Sequence, residues 1–245
     1  MKISTLSTFP IMFYSIMNSS MMRKARKNAF LDFKAYNLRD WTYDNHKTTD
    51  DTPYGGGHGQ VMKCEPVFEA VHDITQDSIA ESGSSAKPYV IFLTPHGEKF
   101  SDALACELST KDSLLFVCGH YEGFDERCYT LADKQISIGD YVLTSGELAS
   151  LVVIDAVVRK IPGVLGNENG PLEDSFADGL LEYPQYTRPA IYNDLEVPQV
   201  LLSGHHANIS EWRRKQSLAR TKELRPDLLE NAQLSKEDIE FLKNL

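Results

Sequence analysis

Four stretches of this chain hold residues whose types and spacing can do chemistry. The first is Asp50-Asp51-Thr52-Pro53-Tyr54-Gly55-Gly56-Gly57-His58-Gly59, with four glycines in five residues. Glycine lets backbone amides approach a ligand and adopt positive φ, at an entropic cost on folding. The stretch lacks the Lys-Ser/Thr of a P-loop and the strand-to-helix setting of a dinucleotide fingerprint, which disfavours nucleoside triphosphate hydrolysis. Either a ligand loop or a plain turn remains. The other three stretches are turns after β-like runs: Leu93-Thr94-Pro95-His96-Gly97, Cys118 to Arg127, and Ile138-Gly139-Asp140-Tyr141-Val142-Leu143. In open parallel sheets ligands bind beyond the carboxyl ends of the strands. Three glycine-bearing turns after neighbouring strands therefore predict one shared small-molecule pocket.

Charged residues form the second source of chemistry. Ser203 to Pro226 carries Arg213, Arg214, Lys215, Arg220, Lys222 and Arg225 against only Glu211 and Glu223, and Met22 to Lys47 carries seven bases against three acids. Arg213 and Arg220, seven apart, share a helical face. Such clusters suit phosphate contacts, and on charge alone they suit a solvated helix face equally. Gly163 to Gln185 has the opposite character, with four glycines, two prolines and the acids Glu168, Glu173, Asp174, Asp178 and Glu182 without one Lys or Arg. It reads as a linker. A carboxylate there is either a general base carried on a mobile segment or a solubilising charge.

The elements that must position these residues follow from the pattern. Candidate strands are Lys2 to Leu6, Asp32 to Leu38, Tyr89 to Leu93, Leu114 to Val117 and Gln135 to Ile138, with a helix over Lys99 to Leu108. Their alternation predicts an α/β domain with a mainly parallel sheet covered on both faces. Thr144-Ser145-Gly146-Glu147 has capping-box spacing ahead of a core helix that stops before Pro162-Gly163. Asn208 with Glu211, and Ser235 with Asp238, predict the starts of two further helices in a small α-helical domain that closes the chain.

Composition bounds the rest. With 245 residues, 42% apolar and 24% charged, the chain is long enough for one large domain and an appendage, and it is neither collagen-like nor disordered. The net charge of -10 restricts any nucleic-acid site to a local basic patch. No apolar run approaches a membrane span or a signal segment, so the expected location is the cytoplasm. Cys64, Cys106, Cys118 and Cys128 show no metal-ligand spacing and are expected to be reduced, buried thiols.

Phe9-Pro10, Arg39-Asp40, Asp50 to Gly57, Ser137 to Leu143, Pro162 to Gly166, Glu173 to Phe176, Tyr183 to Pro189, Leu201 to Gly204, Glu211 to Arg214 and Gln216-Ser217 occur in one order. By these segments the chain resembles, over nearly its whole length, the bacterial tRNA (guanine-N1)-methyltransferases, the TrmD family of the SPOUT superfamily. The resemblance implies methyl transfer from S-adenosylmethionine to N1 of guanine 37 of tRNA, by a cytoplasmic homodimer with no membrane attachment. It also implies a SPOUT-type sheet with a deep C-terminal trefoil knot over residues 1–162, a flexible linker over 163–174 and a helical tRNA-binding domain over 175–245. A knot is a rare exception to ordinary topology, which composition and periodicity do not signal.

Carried over by motif, the cofactor-binding residues are Leu93, Thr94, Pro95, His96, Gly119, Tyr121, Glu122, Ile138, Gly139, Asp140, Tyr141, Val142, Leu143, Ser145 and Gly146. Asp174 is then the base that takes the N1 proton, and Arg159 its catalytic partner on the developing O6 charge. Substrate contacts fall to His46, Asp50, Gly59, Arg188, Arg213, Arg214 and Arg220. Glu122 either reads the guanine edge or holds Mg²⁺, an ion that some members use. Five positions depart from the family pattern: His96 replaces Gln, His120 Arg, Ser145 Gly, His205 Asn and Gln60 Met. Ser145 is expected to alter cofactor affinity and His120 to make activity pH-sensitive. Two other readings compete: a related knotted RNA methyltransferase acting on another base, and a non-catalytic RNA-binding protein.

Overall fold

The computed structural model describes residues 1–82, 87–166 and 174–245. They form two compact units, Met1–Gly166 and Asn167–Leu245. The boundary falls within 163–174, of which 167–173, including Glu168 and Glu173, lie outside the described residues.

In the first unit β1 (Lys2–Ser7) leads into helices α1 (Ile11–Met17) and α2 (Ser20–Lys27), then β2 (Asp32–Asn37). Two short antiparallel strands, β3 (Asp50–Asp51) and β4 (Val61–Met62), precede helix α3 (Cys64–Ser82). β5 (Tyr89–Lys99), α4 (Asp102–Ser109), β6 (Ser113–Val117), β7 (Lys134–Ser137) and α5 (Gly146–Arg159) complete the unit. The five long strands make one sheet in the order β2-β1-β6-β5-β7, with every pairing parallel. All five expected strands are present, four within one residue at each end, while β5 runs six residues beyond Leu93 to Lys99.

The central strand shows why the sheet is covered on both faces. Leu114, Leu115, Phe116 and Val117 are all buried, with Leu114 and Phe116 in one core and Leu115 and Val117 in the other. Side chains alternate across a strand, so an unbroken apolar run requires cover on both sides. Ile154, Val153 and Val157 of α5 pack in the first core, and Val67, Ala70 and Ile74 of α3 in the second. Leu148 and Val152, one turn apart on α5, remain 45% and 53% exposed.

β5 holds the irregularity that makes a site. Leu93 and Glu98 both pair with Ile136, so the four intervening residues loop out of the ladder. Gly97 closes this loop, and a Cβ there would lie 2.5 Å from the Ile136 nitrogen.

Several local expectations are corrected. Lys99 belongs to β5, and α4 starts at Asp102, where the Ser101 hydroxyl accepts from Leu104 N–H at 3.3 Å. Thr144 and Glu147 form no capping box: Ser145 is the N-cap of α5 without a side-chain cap bond, and the Glu147 side chain is turned into the interior. Helices α1 to α3 were not expected individually.

In the second unit, hairpin β8 (Ile191–Tyr192) and β9 (Leu195–Glu196) turns through Asn193 and Asp194. Both turn residues have positive φ, as a two-residue type I′ turn requires. Helices α6 (Gln199–Leu202), α7 (His206–Leu224) and α8 (Lys236–Lys243) follow. α7 begins after His205 rather than at Asn208, and no side chain caps it. α8 carries the expected capping box, with Asp238 N–H donating to Ser235 Oγ at 3.1 Å and Ser235 N–H to Asp238 Oδ2 at 2.9 Å. Asp238 also accepts from Arg214 Nη2 at 2.8 Å, which ties α8 to α7.

Two measurements check this account. Gly97→Ala should destabilise the chain by about 1–3 kcal/mol in urea unfolding, because the methyl meets backbone that cannot yield. The Asp238 carboxyl is held below its ordinary value, first by Arg214. Its contribution to stability is therefore present at neutral pH and disappears as pH falls through the lowered folded-state value. Asp238→Asn should flatten that part of the acid unfolding curve.

Candidate active site

The three turns converge at the carboxyl ends of β5, β6 and β7 on a cavity of about 680 Å³. Leu93, Thr94, Pro95 and His96 line it from the β5 loop, and Gly119, Tyr121 and Glu122 from the turn after β6. Ile138, Gly139, Tyr141, Val142 and Leu143 line it from the turn after β7, and Ser145 and Gly146 from the start of α5. Asp140, in the same turn, is outside the lining.

Two close approaches set the shape. Gly146 N–H donates to Gly119 O at 2.8 Å, and a Cβ on Gly146 would lie 2.8 Å from the Gly119 nitrogen. Only glycine lets α5 start against the end of β6. Ser145 is buried on the cavity wall, and its Oγ has no hydrogen-bond partner. Buried hydroxyls are ordinarily satisfied, so this one is free to meet a polar group of a ligand. The Thr94 hydroxyl and His96 Nδ1 lie 2.8 Å apart, and the His96 ring stands edge-on to Tyr129 at 5.0 Å.

The glycine-rich stretch leads into the same wall. Glu122 N–H donates to Gln60 O at 3.0 Å and Met62 N–H to Gly123 O at 2.9 Å, binding the segment after the glycines to the second turn. Gly59 has φ +85°, and a Cβ there would collide with Glu122 Oε1 at 2.4 Å. Burial first and the Asp50 charge second push the Tyr121 hydroxyl above its ordinary pKa. His46 lies in the exposed loop before β3, where its amide donates to Asp44 Oδ2 at 3.1 Å.

Arg159 is elsewhere. It sits in the last turn of α5 and lines a separate cavity of about 420 Å³ with Ser15, Ile16, Ser19 and Asp155. At 1.5 Å per residue, Gly146 and Arg159 stand roughly 20 Å apart along the helix.

The remaining candidates belong to the second unit. Asp174, Arg213 and Arg214 line a cavity of about 230 Å³ there. Arg188 and Arg213 line another of about 440 Å³ with Tyr186 and Trp212. The Arg213 guanidinium lies over the Tyr183 ring at 4.6 Å. Arg214 donates to Asp178 at 2.6 Å as well as to Asp238, and Arg220 donates to Glu182 O at 3.3 Å.

Sequence reasoning missed Phe124, Tyr129, Ser137, Thr144 and Ala149, which also line the main cavity. It missed too the fully buried Glu147, which accepts from Ser7 Oγ and faces His120. No local pattern marks Tyr129, which reaches the wall from a 3₁₀ turn over Glu126–Leu131. The sequence signal for Glu147 is only an acid in the first turn of a mostly apolar helix that also holds Asp155. The four cysteines are unpaired, with Cys118 and Cys128 buried as expected but Cys64 half-buried and Cys106 exposed. Burial pushes the Cys128 thiol up to about 12. Among the described residues no group of three His, Cys, Asp or Glu is placed to hold a metal ion, and no helix is long and apolar enough to cross a membrane.

A parallel sheet with a cavity at its strand ends, walled by glycine turns, is the arrangement in which open α/β proteins hold their ligands. The family described as tRNA (Guanine-1)-methyltransferase TrmD matches residues 1–231. Proteins named tRNA (guanine-N(1)-)-methyltransferase from Bacillus cereus, Bacillus anthracis and Bacillus thuringiensis subsp. konkukian are each 49% identical over 246 residues, spanning 100% of this chain and 98% of theirs. The chain belongs to this family of tRNA (guanine-N1)-methyltransferases.

Ser145→Ala provides a check on the wall. A serine that caps a helix typically contributes about 1 kcal/mol, but this hydroxyl caps nothing. Urea unfolding should shift by less than about 0.5 kcal/mol.

Proposed function

We propose that the chain transfers the methyl group of S-adenosylmethionine to N1 of guanine 37 in tRNA, acting as a homodimer. The observation that carries the reading is the convergence of the three glycine turns on one cavity at the carboxyl ends of β5, β6 and β7. The cavity fits the cosubstrate: backbone stands bare at Gly119 and Gly146, where a side chain would collide, and Ser145 presents an unpaired hydroxyl. Bound there, S-adenosylmethionine supplies a methyl group on a positively charged sulfur. The family also supports a trefoil knot in the first unit, a tRNA-binding role for the second, and a cytoplasmic setting.

Neutral guanine holds a proton on N1, so the nitrogen is a poor nucleophile until a base removes it. Asp174 is the base in this reading, accepting that proton as the methyl arrives. Arg159 stabilises the negative charge that develops on O6. The walls supply alignment, which an in-line displacement needs more than covalent catalysis. Glu122, set against Gly59 on the cavity wall, reads the guanine edge in this proposal. His46, Asp50 and Gly59 then meet the neighbouring nucleotides, and Arg188, Arg213, Arg214 and Arg220 the phosphates.

The placement of Arg159 supports the homodimer. An arginine roughly 20 Å along α5 from its own cavity serves the reaction only from a second copy. The exposed Leu148 and Val152 on the same helix suit burial between copies.

Labelled methyl transfer should be seen on tRNA with guanine at 37 and vanish when adenine replaces it. Asp174→Asn should reduce kcat by about 10²–10⁴ with near-normal cofactor binding; full activity would remove Asp174 from the role of base. Ser145→Trp, which fills the cavity, and Arg159→Ala should each be inactive. Dimers refolded from an equal mixture should regain about a quarter of wild-type activity, because half are mixed and each of those holds one complete site. No recovery would place Arg159 and the cavity in one subunit's site, and full activity of Arg159→Ala alone would remove Arg159 from the reaction.

A further inference from the structure

At the cavity wall His120 faces the buried carboxylate of Glu147, a contact that the mechanism above does not use. Glu147, in the first turn of α5, is fully buried. Ser7 Oγ donates to its Oε1, and Ser7 Oγ in turn accepts from Phe9 N–H at 2.8 Å. His120 Nε2 stands 2.9 Å from Oε1 and 2.8 Å from Oε2. Oε2 has no other partner.

His120 is itself fixed from three sides. Its N–H donates to the Met62 sulfur at 3.1 Å from β4. Its ring packs against Phe9, beyond the end of β1, at 4.9 Å, and against neighbouring Tyr121 at 6.1 Å. From α5 the facing group is Glu147, and His120 is the basic side chain set against this carboxylate.

A buried carboxylate left without a counter-charge is strongly destabilising where it stands. We propose that His120 is a positioning residue of the cofactor cavity: through its contact with Glu147 it clamps the turn after β6 to the start of α5. Gly119, Ser145 and Gly146, which line the cavity, are neighbours in sequence of the two clamped residues. When that contact is lost the clamp loosens, and cofactor affinity falls while the chemistry at guanine is untouched. The inference rests on the reading of the cavity as the S-adenosylmethionine site.

Isothermal titration of the whole protein with S-adenosylmethionine tests it. His120→Gln, which leaves the buried Glu147 carboxylate facing a neutral amide, should weaken binding about tenfold. His120→Arg, which keeps a basic donor on Glu147, should bind as tightly as wild type. Pairing His120→Gln with Glu147→Gln, which removes the carboxylate's charge, should restore tight binding, with kcat unchanged in each variant. If His120→Gln alone fails to fold, the double variant and His120→Arg still decide. A His120→Arg variant that binds about tenfold more weakly than wild type, or a double variant no better than His120→Gln, would overturn the clamp while leaving the cofactor site standing. Absence of binding in wild type and every variant would overturn the cofactor reading and the clamp with it.

Discussion

Gly146 of α5 and Gly119 after β6 meet backbone to backbone, with an N–H donating to a carbonyl at 2.8 Å and no room for a side chain on the helix residue. Most of the site depends on that approach. It brings the helix start under the second turn, so that Ser145 and Gly146 share a cavity with Gly119 and Glu122. It also carries Glu147 below the surface, within reach of Ser7 and His120. A larger residue at 146 would push α5 outward and open the cavity on one side.

The third wall has a different origin. In a regular parallel ladder the residues after Leu93 would continue along β7, with their backbone groups spent on the sheet. The register shift between Leu93 and Glu98 releases four residues from that duty while keeping both flanks paired to Ile136. The loop is thereby anchored at both ends, and Thr94 and His96 are presented on a rigid base. Side chains held on strand ends are better ordered than side chains on a free loop.

Charge is divided in the same economical manner. The chain is acidic overall, at -10, yet its second unit concentrates arginines on α7. Their internal engagements differ: Arg214 is committed to Asp178 and Asp238, Arg213 is stacked on Tyr183, and Arg220 reaches a carbonyl. Arg214 has the heaviest structural duty of the three. A helix surface that looks uniformly basic in sequence is thus graded by how much of each guanidinium remains for another molecule.

The amino-acid sequence alone determined the five strands, since a run such as Leu114 to Val117 is apolar at every position and has few other places to go. It determined the three turns too, because glycines after strands are read locally. The Ser235–Asp238 cap was legible for the same reason, as a bond between residues three apart. Tertiary structure decided what depends on separations that no local pattern records. Thr144 and Glu147 carried the spacing of a cap, but Ser7, 140 residues away, and His120 drew the carboxylate inward. Arg159 and Gly146 lie on one continuous helix in sequence, and only the rise of that helix sets them at opposite ends of it. Tyr129 reached the cavity because an aromatic cluster with Phe92 and Phe124 holds it there. Hydrogen bonds and packing between distant residues are paid for by the whole fold, so the local code has no means of announcing them.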